Sequence, residues 1–142
     1  MISTDFQKLI ESLSLTLIQP TKIEFERQCL MPEDTSEIQI SWKILYPNES
    51  FVIRENFLEL FPLFEVTLFY EKEIIFTHKS IISVILSIKD MDVFTSIWKD
   101  DEIQKFFKEK QLVKTLWPIV RQQVLDGMSR LGLPPIPLPW LF

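Results

Sequence analysis

Glycine is nearly missing. The 142 residues hold two, Gly127 and Gly132, and alanine does not occur at all. Two glycines near the C-terminal end cannot build a Gly-rich phosphate cradle, so that class of nucleotide site is excluded. Large β-branched and aromatic side chains stand in place of the small ones, and they favour strands over an all-helical bundle. Cysteine occurs once, as Cys29. No internal disulfide can form, which suits a reducing compartment. One cysteine and one histidine, His78, fall short of the ligands a zinc site needs. Long apolar runs are also lacking. The longest, residues 80–88, is closed by Lys79 and Lys89, well under the roughly 20 residues that cross a bilayer. Asp5 and Glu11 near the start, with no basic segment ahead of an apolar run, argue against a secretory signal. The net charge of −5 lacks the basic footprint that nucleic acid or an anionic membrane selects. The expectation is one cytoplasmic domain spanning 1–142, with no metal and no cofactor.

What is present alternates. Residues 1–13 begin with Ser3, Thr4 and Asp5 as candidate caps and carry Phe6, Leu9, Ile10 and Leu13 at helical spacing. Leu15, Leu17, Ile23 and Phe25 alternate with polar residues, which reads as a strand pair or one strand bent at Pro20. After a polar turn over 31–37 with Pro32 and Asp34, Ile38, Ile40, Trp42 and Ile44 mark the cleanest half-buried strand. Pro47 and Asn48 break it. Residues 51–61 are densely apolar with mixed periodicity, and Pro62 ends the block or holds it at an edge. Strands over 63–70 and 74–88, joined by a turn at 71–73, predict an antiparallel hairpin.

Helices follow. Asp100, Asp101 and Glu102 precede Ile103, Phe106 and Phe107, with Lys105, Lys108 and Lys110 behind them, a charge order that suits a helix dipole. Pro118 fits the first position of a last helix whose apolar face is Trp117, Val120, Val124, Met128 and Leu131. Gly132 stops it, and Pro134, Pro135, Pro137 and Pro139 hold the tail extended. Strands first and helices last predict an α+β fold: an antiparallel sheet with helices on one face.

No catalytic constellation emerges. His78 lies within the long strand and has no nucleophile or orienting acid fixed beside it by the sequence, so a structural histidine is the reading. Asp90, Asp92 and the 100–102 acids fit a loop and a helix start. Cys29 has only Arg27 as a local basic partner. An enzyme is not expected. The aromatics point elsewhere. Phe51, Phe57, Phe61, Phe64, Phe94, Trp98, Phe106, Phe107 and Trp140 exceed what one small core needs. About half fill the core between sheet and helices, and the remainder signal oligomerisation or the binding of another chain.

The C-terminal segment adds a family. Leu116-Trp117-Pro118-Ile119-Val120-Arg121, followed by Met128-Ser129-Arg130-Leu131-Gly132-Leu133-Pro134-Pro135-Ile136-Pro137-Leu138, resembles the last region of the SecB-type protein-export chaperones. Residues 20–27 are similar to that family's first strand, and 65–88 to its third and fourth. The resemblance covers most of 14–142. It implies a four-stranded antiparallel sheet with helices on one face, assembled as a dimer of dimers, a tetramer. It implies an ATP-independent holdase for unfolded or non-native client polypeptides, bound in apolar grooves, and docking of the export ATPase SecA on an acidic sheet face. Groove candidates are Trp42, Phe51, Phe57, Phe61, Phe64 and Trp98; Glu26 matches one docking acid. Lys22 and Lys79 stand where two other acids belong, which opposes SecA docking. Residue Phe142 comes before the place of the family's terminal helix and SecA-binding tail. The expectation is a general holdase for unfolded clients; the alternative is a specialised chaperone or adaptor for a dedicated partner such as an antitoxin, without SecA delivery.

Overall fold

The computed structural model describes residues 2–30, 37–47, 50–134, 136 and 138. The expected turn around Pro32 and Asp34, the break at Asn48, the tail prolines 135, 137 and 139, and Trp140 lie outside the described residues.

A short helix α1 (Ile2–Glu11) is followed by six strands: β1 (Leu13–Arg27), β2 (Gln39–Leu45), β3 (Phe51–Arg54), β4 (Phe57–Leu60), β5 (Leu63–Tyr70) and β6 (Glu73–Ile88). Then come α2 (Met91–Trp98), α3 (Asp101–Phe106), a π-helical turn (Phe107–Gln111) and α4 (Leu112–Arg130). All strand pairs are antiparallel. β6 is the axis of the sheet. Along one side it pairs with β1; along the other it pairs first with β5 and then with β4. β2 extends beyond β5, and β3 beyond β4. The α+β arrangement is the one expected, but the sheet has six strands rather than four. The mixed periodicity of 51–61 is the reason: a two-residue turn, Glu55-Asn56, folds that block into a hairpin, with Glu55 at φ 54°. Reversing direction midway reverses which residues face inward, so no single period fits the block.

β1 is one continuous strand. Pro20 sits opposite Ile82 beside a bulge, one of the places where a sheet tolerates proline. Period-two burial in β5 and β6 directs Phe64, Val66, Leu68, Phe76, Ile82, Val84 and Leu86 to the inner face. The helices cover that face. Ile103, Phe107, Leu112, Leu116, Val120, Val124 and Met128 form their buried stripe. Each step in that stripe is four residues except the one from Phe107 to Leu112, which is five. A straight α-helix would rotate one half of the stripe off the sheet, and the π turn takes up the extra residue in place.

Pro118 differs from expectation. It lies inside α4, which starts at Leu112, and not at its first position. The stripe upstream already commits residues 112–117 to helix, and Pro118 itself is exposed, so the helix loses its N–H on the solvent side.

Candidate functional site

The groove candidates separate by face and by burial. Phe64 is 0% exposed and Trp98 4%. Both are core residues in this structure, which corrects their assignment to a surface that a client could touch. Phe64 points inward from the start of β5, where alternation and the helix layer together enclose it. Trp98 ends α2 at the centre of an aromatic cluster: edge-on to Phe51 (5.2 Å) and Phe107 (5.6 Å), stacked on Phe94 (5.4 Å). Phe51 and Trp98 are therefore brought together. Half-buried Trp42 packs instead on Trp117 at 5.5 Å. Phe57, opposite Ser87, lies on the outer face of the sheet, and half-buried Phe61 follows the end of β4.

The exposed apolar groups are largely ones the sequence did not single out. Leu15, Leu17, Ile23, Leu45, Ile53, Ile74, Met91 and Phe106 are all exposed. A recess of about 160 Å³ opens beside the first of these, lined by Ile10, Leu13, Leu15, Leu86, Phe107, Gln111, Leu112 and Thr115. An apolar cavity of roughly that size holds one benzene-sized group. Phe106 is 44% exposed and packs edge-on against Phe6 of α1 at 4.8 Å, one helical turn from Ile10. No spacing rule separates these residues from core ones. The signal is that α1 and the π turn leave a gap over the start of β1.

The outer face carries charge in a row. Lys43, Glu65, Lys79 and Glu24 are register partners across β2, β5, β6 and β1. Lys43 Nζ lies 3.2 Å from Glu65 Oε2, Lys79 Nζ 3.9 Å from Glu65 Oε1, and Lys22 Nζ 3.1 Å from Glu24 Oε1. Glu26 is exposed on the same face, opposite Thr77. Lys22 and Lys79 thus neutralise the surface on which Glu26 stands.

Two buried titratable groups are perturbed. His78 is fully buried, its ring parallel to Phe25 at 6.5 Å. Burial lowers its pKa to about 4, with Gln123 opposing, though neither ring nitrogen has a hydrogen-bond partner among the described residues. Buried Ser80 beside it on the inner face also leaves its hydroxyl unpartnered among the described residues. Tyr46 donates its hydroxyl to the Lys108 carbonyl at 3.0 Å inside the π turn, with Lys108 Nζ 5.3 Å from its ring centroid. Burial raises the Tyr46 pKa well above its ordinary value, and Glu109 adds to the effect. Among the described residues no group of three or more His, Cys, Asp or Glu could hold a metal ion.

This arrangement can be set against known proteins. No protein-family model matches the chain, and no curated protein matches it. A solved structure does. The Mycobacterium tuberculosis SecB-like chaperone Rv1957, in complex with a ChAD peptide from the HigA1 antitoxin Rv1956, aligns with a TM-score of 0.73 over 98% of this chain and 97% of that one, at 13% identity. The fold is SecB-like. At that identity the likeness is one of fold. No described helix is long and apolar enough to cross a membrane.

Proposed function

We propose that this SecB-like chain is a passive, nucleotide-independent chaperone that holds non-native polypeptide in the cytoplasm without catalysis. The observation that carries the reading is the apolar recess bordered by exposed Leu15 and neighboured by exposed Phe106, on a fold shared with a chaperone. Burial of apolar side chains is non-directional, so such a surface accepts many sequences. Half-buried Trp42, Phe51, Phe57 and Phe61 extend the apolar area on offer. Among the described residues β1 has no partner along its second edge, which suits pairing with another copy, and a tetramer is the proposed assembly. Delivery to SecA is not part of the proposal, because Lys22 and Lys79 oppose it.

Light scattering tests this directly: two unrelated proteins are diluted from denaturant with this protein present and ATP absent. Suppressed aggregation of both is the expected result, and protection of neither overturns it. A second reading rests on the antitoxin peptide held by Rv1957. A dedicated holder would protect one such partner and leave both test proteins to aggregate.

A further inference from the structure

The row Lys43, Glu65, Lys79, Glu24 alternates in sign across four adjacent strands. Such a row is antisymmetric about its midpoint, which lies between β5 and β6. A two-fold axis parallel to the strands at that midpoint places Lys43 of each copy over Glu24 of the other, and Glu65 over Lys79. Every facing pair is then opposite in charge. An axis along the row would instead set like over like, so the pattern selects one orientation.

The neighbouring rows set no like charges over one another about the same axis. Leu45, Leu63, Ile81 and Lys22 form a register row one step along the face, and Leu45 meets Lys22. The axis sets Leu63 over Ile81 of the second copy. Beyond it, Val52, Glu59, Ile85 and Leu17 share a row, in which Val52 meets Leu17 and Glu59 meets Ile85. On the other side Ser41, Thr67, Thr77 and Glu26 align, and Thr67 meets Thr77. Sheets packed face to face stand about 10 Å apart, a gap that a lysine and a glutamate reaching toward each other can close. A hollow of about 210 Å³ lined by Lys22, Glu24, Leu63, Lys79 and Ile81 leaves room for the incoming Lys43.

We propose that the outer sheet face is a self-recognition surface, on which a second copy of this chain docks back to back through the Lys43–Glu65–Lys79–Glu24 row. Leu63, Ile81, Val52 and Leu17 supply adhesion and the charges supply register. Lys43 and Glu24 sit on opposite edges of the row and do not touch within one chain, which makes the contact between copies separable from the fold. The test uses tagged and untagged full chains carrying Lys43→Glu or Glu24→Lys, with circular dichroism to confirm folding. Each variant sets like charges opposite one another in its own pairs, whereas a mixed pair restores both attractions. The expected result is capture of Glu24→Lys by tagged Lys43→Glu at least tenfold better than either variant captures itself, with the preference fading in high salt. Equal capture in mixed and same-variant pairs would overturn the proposal, and it would do so whatever other interfaces the chain forms.

Discussion

Arg27 Nη1 donates to the Leu131 carbonyl at 2.9 Å, so the last residue of the first strand closes the end of the last helix, 104 positions away in sequence. Its Nε also reaches the Cys29 carbonyl at 3.3 Å. A cation at a helix C-terminus satisfies an orphan carbonyl and opposes the negative end of the dipole. Arg27→Ala should lower stability by about 1–3 kcal/mol, as expected for a charge-assisted bond. Urea midpoints check this; an unchanged midpoint would make the contact ornamental.

Gly127 faces Phe25 so closely that an added Cβ would lie 2.8 Å from the ring. Gly127→Ala gains about 1 kcal/mol of helix propensity and meets an overpacking cost of about 1–3 kcal/mol. The expected net effect is destabilising. Adding Phe25→Leu should reverse most of it, since a smaller side chain vacates the space. A double-mutant cycle measures that coupling directly.

How much of this could be read in advance depends on period. β2, β5 and β6 each alternate over seven residues or more, and their faces follow from the sequence. The five-residue step from Phe107 to Leu112 is equally visible once the stripe is written out. The hairpin at Glu55-Asn56 is not, because the turn places a glutamate at positive φ where Gly or Asn is the usual signal. The start of α4 was hidden by a proline that usually marks a helix start. Phe64 and Phe106 show the limit for the site. Both are phenylalanines in apolar segments, and only the helix layer decides that one is enclosed and the other half bare.

His78 is held neutral by burial, with a pKa of about 4 against 6.5 for the free side chain. Between those values the unfolded chain binds a proton that the folded chain refuses. Stability therefore falls as pH drops from about 6.5 toward 4, by at most about 3 kcal/mol, and this contribution is fully retained above that window. His78→Leu should flatten that part of the profile. Urea unfolding of both proteins at pH 7 and pH 5 gives the difference, from which carboxylate effects common to both cancel.

Tyr46→Phe removes the side-chain bond given to the Lys108 carbonyl while keeping the ring under the Lys108 ammonium. A cost of about 0.5–1.5 kcal/mol is expected, concentrated locally. Hydrogen exchange should quicken in residues 105–116 and stay unchanged in β6. Uniform quickening throughout would mean that Tyr46 supports the whole fold and not the π turn in particular.

The position of β6 bears on how the chain comes into being. β1 finds its partner only when residues 76–88 exist, since Leu13 pairs with Ile88 and Arg27 with Phe76. Until then a ribosome-borne nascent chain presents a 15-residue strand with nothing alongside it, and neither β4 nor β5 can be completed either. Non-local pairing of this kind folds slowly and leaves strand edges open to aggregation. A protein proposed to shelter incomplete chains is, for most of its own synthesis, one of them.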